Sequence, residues 1–397
     1  MERLIGARQS YDWGSTTAIP ELLGERPDNH PWAEQWYGSH PCGPTRLAVG
    51  PRTLADLIDA DSQRLLGEDV VRRFGPQLPF LLKLIAPDQA LSLQVHPSLE
   101  QATEGFQLEN EAGLALDDPA RSYKDANHKP EMVLALSRYE AVAGFRAPRR
   151  AAEVLAGLDS ALAHRMRRTL RLNPTRFGIR QVFTDLVSED ARPTTVEIDE
   201  LVAEIAARIS QGASPSPRVD ANAVVMARAF PGDPGVAAAL LLNPVTLQPG
   251  EALFVPAGSV HAYISGLGVE IMASSDNVLR AGLTSKHVDV PEMLACVDYV
   301  AAPPVRPAPE YLSHATRAYY APVDDFELLV TTVVPADGRV QVPGRGPRIL
   351  LATQGRTTVT SPAGRQTLAC GQALFVGADE RVLTIEGEGV VAQADVP

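Results

Sequence analysis

Two stretches of this chain spell nearly the same phrase. "GEALFVPAGSVHAYISG", from Gly250, lies over "GQALFVGADERVLTIEG", from Gly371, without a gap. Identities fall at Gly250/Gly371, Ala252/Ala373, Leu253/Leu374, Phe254/Phe375, Val255/Val376, Ala257/Ala378, Ile264/Ile385 and Gly266/Gly387, eight of seventeen positions. A four-residue apolar run bounded by glycine and followed by a turn reads as a buried strand. The echo therefore predicts two β units of related design. His261 and Tyr263 in the first copy face Val382 and Thr384 in the second, so only the first keeps polar groups for a site.

The rest of the chain sorts around that echo. "PFLLKLIA", "LSLQVH" and "EMVLAL" read as strands between Pro/Gly turns. From "APRRAAEVLAGLDSALAHRMRRTLRL" the composition shifts to Ala, Leu and Arg, all strong helix formers. "TTVEIDELVAEIAARIS" places Ile198, Leu201, Val202, Ile205 and Ile209 on one helical stripe. A further helix is predicted near "DVPEMLACVDYV". The expected architecture is mainly β with a helical insert: a β unit from 1–148, the insert at 149–231, the second part of the β unit at 232–310, and a C-terminal β unit without a site at 311–397.

Bulk properties narrow the partners. The net charge of −12 is dispersed, which excludes the basic stripe that nucleic-acid binding needs. Three separated cysteines, Cys42, Cys296 and Cys370, form no CxxC and no disulfide framework. No apolar run is long enough for a signal peptide core or a bilayer span, so the expectation is a cytoplasmic protein with no membrane partner.

Three segments share one spacing. Gln94 and His96, Lys129 and Glu131, and His261 and Tyr263 are each two residues apart, so each pair points to one side of its strand. Three strands of one barrel then aim these groups into a common interior, a usual place for a ligand. Gln94, His96, Glu131 and His261 supply two imidazole nitrogens and two oxygens, a set suited to Zn²⁺ or another first-row divalent ion. Downstream, "GVEIMASSDNVLRAGLTSKHVDV" adds Glu270, Asp276, Arg280 and Lys286. Arg280 and Lys286 either pair with Asp276 and Asp289 or hold an anion.

Together "PFLLKLIAPDQALSLQVHPS", "YKDANHKPEMVLAL", "FPGDPG", "LQPGEALFVPAGSVHAYISG" and "GVEIMASSDNVLRAGLTSKHVDV" resemble type I mannose-6-phosphate isomerases, zinc enzymes of the cupin class. "YDWGS" and "WAEQWYGSHP" are similar to that family's opening, and the likeness runs from about residue 5 to residue 300. Asp12 departs from the opening motif, and the last ninety or so residues show only generic β character. The resemblance implies cupin jelly-roll barrels, one catalytic and one degenerate. It implies one Zn²⁺ per chain on Gln94, His96, Glu131 and His261. It places the active-site arginine at Arg280 and pocket residues at Lys83, Ser92, Lys129, Tyr263, Glu270 and Lys286; Arg280, Glu270 and Lys129 are read as catalytic, and Asp276 as a further substrate-binding residue. The implied partner is a small phosphorylated sugar, and the implied state a monomer. The implied reaction interconverts mannose 6-phosphate and fructose 6-phosphate through a cis-enediolate, with Glu270 or a water on the metal as base. On the residues alone, an iron oxygenase on His96, Glu131 and His261 and a metal-free sugar-binding protein remain competing readings.

Overall fold

The computed structural model describes residues 1–397. Its strands form three antiparallel sheets, and the alternation along each strand decides which layer a residue faces. A six-stranded sheet runs in the order Ala252–Val255, Glu131–Ala135, Gly268–Ala273, Phe80–Ile85, Glu34–Tyr37, Ala7–Gln9. A five-stranded sheet runs Leu279–Gly282, Leu93–Val95, His261–Ser265, Tyr139–Phe145, Leu242–Leu247. The two pack face to face: Ile85, Val133, Leu253 and Val255 from the first meet Tyr139, Ala141, Val245, Leu247 and Tyr263 from the second.

This sandwich differs from the closed barrels expected from the sequence. The two sheets stay separate in their hydrogen bonding, and strands such as Leu93–Val95 and Leu279–Gly282 are only three or four residues long, too short to belong to both.

Each sheet is apolar on its outer face too, and each outer face is covered. Leu82, Leu84, Met132, Leu134, Phe254 and Ile271 pack on Leu328, Val330, Ile349, Leu351 and Phe375 of a third, ten-stranded sheet. Two long strands, Arg348–Ser361 and Leu383–Asp395, form that sheet's spine, with a register shift between Ala352 and Gln354. The chain's first strand, Glu2–Ile5, pairs with Ala373–Val376 there, so both ends of the chain share one sheet. On the other side, Leu93, Val95, Val142, Ala262, Ile264 and Leu279 pack against the helices of the predicted insert.

Those helices span Pro148–Val154, Ala161–Leu172, Arg176–Val187, Thr195–Ser210 and Pro217–Ala229. Ile198, Leu201 and Ile205 are buried as the stripe requires, but Ile209 is 40% exposed. Arg208 turns inward instead, its Nε donating to Asp220 Oδ2 at 2.6 Å. The helix predicted near residue 290 is Val290–Cys296. Helices at Leu54–Ala60, Ser62–Leu66, Glu68–Phe74 and Leu99–Glu111 were not expected from the sequence.

The echoed segments fold alike locally. Ala252–Val255 and Ala373–Val376 are both fully buried strands. Gly250 and Gly371 precede them at φ 86° and 80°, and Gly266 and Gly387 follow at 127° and 120°. These are backbone conformations that favour glycine, which explains why those identities are glycines. His261 is buried, whereas Val382 in the equivalent place is 51% exposed.

Candidate active site

The face-to-face layer that is apolar at one end becomes polar at the other. In the six-stranded sheet, Glu270 lies directly across from Lys83, and Lys83 from Trp36. Glu131 lies across from Met272, two residues along from Glu270, so it shares that inner face. In the five-stranded sheet, Gln94 is paired on one side with His261 and on the other with Arg280. Cross-strand neighbours point the same way, so these three side chains form one row. The period-two spacing thus brings Gln94, His261, Glu131 and Glu270 to facing sides of one gap.

Glu131 is the hub. His96 Nε2 lies 3.3 Å from Oε1, His261 Nε2 lies 3.3 Å from Oε2, and Lys129 Nζ lies 3.3 Å from Oε1. Both imidazoles are oriented from behind: His96 Nδ1 donates to the Asn277 carbonyl at 2.8 Å, and His261 Nδ1 to the Ser259 carbonyl at 3.0 Å. That tautomer leaves both Nε2 lone pairs facing Glu131, the arrangement of histidines that bind a metal. Burial lowers His96 to about 4, so it is neutral near pH 7. Burial alone would raise the Glu131 carboxyl, but its neighbours, the Lys129 cation among them, hold it well below its usual range.

The donors fit a divalent ion. His96 is fully buried, and its Nε2 has no hydrogen-bond partner in the protein. A buried lone pair left alone is costly, and a cation satisfies it. The ligand atoms of His96, Glu131 and His261 all lie within 4.8 Å of one another. With the Gln94 amide beside His261, the set offers two nitrogens and two oxygens.

Next to the hub sits a second buried pair. Lys83 Nζ is 3.2 Å from Glu270 Oε2 and 3.7 Å from Glu34 Oε1. Burial pushes Glu270 up to about 7 against the pull of Lys83. Burial also opposes the charge on Lys83, but Glu34 and Glu270 more than reverse it and raise its pKa. Glu270 Oε1 and the Tyr263 hydroxyl are buried without hydrogen-bond partners. Burial raises the Tyr263 hydroxyl well above its usual value, which keeps it protonated.

The remaining predicted residues are less buried. Arg280 is half-buried, and loss of water lowers its pKa. Lys286 is exposed, and partial burial together with the nearby Arg280 cation lowers its pKa. Neither pairs with Asp276 or Asp289. Asp276 instead faces His40 Nε2 at 3.5 Å and accepts from the Cys42 thiol at 3.0 Å. His40, Cys42 and Asp276 also come close enough to hold an ion, but the Cys42 backbone N–H donates to His40 Nδ1 at 3.3 Å. That places the ring proton on Nε2, facing Asp276, and makes a closed hydrogen-bonded cluster. Ser92 is half-buried immediately before the strand Leu93–Val95.

Sequence reasoning passed over Glu34, Trp36 and Asn277. Glu34 and Trp36 have the same two-residue spacing as the pairs that were singled out, and Trp36 Nε1 donates to Glu34 Oε2 at 2.7 Å. Asn277 is fully buried, and its side chain ties the segment before Lys129 through Lys124 N, Asp125 O and Asn127 O at 2.7–2.8 Å. Lysine usage was a further signal. The chain has four lysines, Lys83, Lys124, Lys129 and Lys286, and three of them belong to the predicted site.

Comparisons with known proteins agree with this geometry. The family model "Phosphomannose isomerase type I, catalytic domain" matches residues 1–148. The mannose-6-phosphate isomerase of Escherichia coli K12 is 36% identical over 405 residues, covering 99% of each chain. That of Bos taurus is 32% identical, covering 94% of this chain and 92% of its own. A crystal structure of mannose 6-phosphate isomerase bound with zinc and yttrium superposes with a TM-score of 0.89 at 34% identity, covering 100% of this chain and 99% of that one. Likeness over the whole length, around a buried His–Glu–His hub, places this chain in the type I mannose-6-phosphate isomerase family.

Proposed function

We propose that the chain interconverts D-mannose 6-phosphate and D-fructose 6-phosphate through a cis-enediolate, using one Zn²⁺ per chain on Gln94, His96, Glu131 and His261. The observation that carries this reading is a pair of buried histidines on Glu131 in the same gap as a buried carboxyl poised near neutrality, Glu270. The zinc-bound relative supports the choice of metal. A divalent ion held on this hub supplies a positive centre that polarises the carbonyl and hydroxyl oxygens of the open-chain sugar and stabilises charge developing on them.

The protein's own groups do the rest. Glu270 removes the proton from C2 and returns it at C1, since a base works best with a pKa near the working pH. Lys83 holds Glu270 in place and favours its ionised form. Lys129, fixed at 3.3 Å from Glu131, stabilises or moves protons on the sugar oxygens. The buried Tyr263 hydroxyl donates to a sugar oxygen. Arg280 and Lys286, with Ser92, bind the phosphate, so that remote binding energy orients the reacting carbons.

The same reading treats the two-sheet sandwich as the catalytic cupin jelly roll, in two parts at 1–148 and 232–310. Residues 149–231 are the insert, and 311–397 form a degenerate jelly roll without a site. It takes the enzyme to be a cytoplasmic monomer. The direct test is a coupled assay on mannose 6-phosphate without oxygen, on protein whose metal content has been measured. Zinc-dependent formation of fructose 6-phosphate supports the reading, and turnover that requires oxygen overturns it.

A further inference from the structure

The helical layer carries a charge distribution opposite to that of the molecule. Between residues 149 and 180 there are eight arginines against two acidic residues, in a chain of net charge −12. The helix Ala161–Leu172 buries Leu162, Ala163, Met166 and Leu170 against the other helices. Its remaining positions are rich in arginine. Arg167 and Arg171 line a cavity of about 370 Å³ together with Arg149, Glu153, Ala152, Ala156, Leu170 and Pro174.

The charges around this cavity are not balanced within the protein. Glu153 is already occupied, accepting from Arg150 Nη1 at 2.8 Å. Arg149, Arg167 and Arg171 have no carboxylate partner, and the Arg167 Nε is buried without any hydrogen-bond partner. A buried guanidinium N–H with nothing to donate to is costly, and an anion in the cavity removes that cost. Three arginines lining one concavity match a phosphate, while Ala152, Ala156, Leu170 and Pro174 offer a small apolar wall for a body attached to it. The acidic surface elsewhere disfavours a long polyanion, so the matching ligand is small.

We infer that the cavity lined by Arg149, Arg167 and Arg171 is a binding site for a small phosphate-bearing anion. It lies on the far side of the five-stranded sheet from Gln94 and His261 and does not depend on the isomerase assignment. Free phosphate and a phosphate ester share the chemistry that these arginines recognise.

The test follows the arginine Nε–H resonances of the metal-loaded full-length protein by NMR, titrating inorganic phosphate and mannose 6-phosphate separately at constant ionic strength. The Arg167 Nε–H should shift in a saturable way, and should still do so in Arg280→Ala. The double variant Arg149→Glu/Arg171→Glu changes two exposed side chains and should fold normally. It should weaken the Arg167 response at least tenfold while leaving turnover measured without added phosphate within twofold of wild type. Arg167→Gln should abolish the site without changing the others. A tighter response to the ester would make the organic body part of the ligand, and equal responses would make the anion the whole of it. An Arg167 resonance that ignores both probes, or that moves equally with chloride, overturns the site. So does a response that disappears in Arg280→Ala.

Discussion

Glu270 and Arg280 carry opposite burdens at the residue scale. As the proposed base, Glu270 would act only when ionised, and burial holds its carboxyl up at about 7. As pH falls below that value the base is lost, so kcat/KM should drop about tenfold per pH unit on the acid side. A dication on Glu131 favours the ionised form, so the acid limb of the metal-loaded enzyme should lie at or below about 7. Lys83→Met removes the adjacent cation and should move the limb upward; a limb that stays put would separate Lys83 from Glu270. Arg280 has no carboxylate partner and a neighbouring cation in Lys286, so its proposed work is on the substrate phosphate. Arg280→Ala should cost roughly 2 to 4 kcal/mol in kcat/KM, on the order of thirty- to a thousand-fold. It should harm residual turnover of unphosphorylated mannose much less, and equal losses on the two sugars would move Arg280 to the reacting carbons. Arg280→Lys should recover only part, since an ammonium lacks the planar fork.

At the scale of elements, the legible parts were those where chemistry and periodicity coincided. Gln94/His96, Lys129/Glu131 and His261/Tyr263 announced themselves because a strand puts alternate residues on one face. Glu34/Trp36 obeyed the same rule but lay in a segment read only as a family opening. The helix Leu99–Glu111 was illegible for a physical reason: it buries only Ala102, and its two leucines, Leu99 and Leu108, are exposed. Its one signal was the capping box of Ser98 and Gln101, and Thr53 with Asp56 signalled Leu54–Ala60 in the same way. The loop around Asn277 was also hidden, because its importance lies in hydrogen bonds between distant segments. Its side chain fastens the segment 124–127, and its carbonyl orients His96. Asn277→Ala should loosen both and weaken metal binding by roughly 10- to 100-fold, as outer-shell losses do. Competition with a chelator checks this, and an unchanged metal affinity would make the Asn277 network purely structural.

At the scale of the whole molecule, the layers depend on one another. The six-stranded sheet is apolar on its outer face, and the ten-stranded sheet covers it. The first strand, Glu2–Ile5, belongs to that ten-stranded sheet. A chain cut after residue 310 therefore exposes Leu82, Leu84, Phe254 and Ile271 and leaves the first strand without Ala373–Val376. The truncated protein should aggregate or lose cooperative unfolding; a soluble, active fragment 1–310 would show that the catalytic layer stands alone. The internal echo made two alike strand segments legible, but not this sharing of strands, because a repeat reports local design and not which sheet each copy joins. On the proposed reading, a metal on the His96–Glu131–His261 hub makes this fold an isomerase. The most direct test of that reading is metal content and mannose 6-phosphate turnover measured on the same preparations of wild type and His261→Ala, with circular dichroism confirming the fold. Wild type should hold about one zinc per chain and be active, and the folded variant should lose both. Full isomerase activity in metal-free His261→Ala protein would contradict that reading.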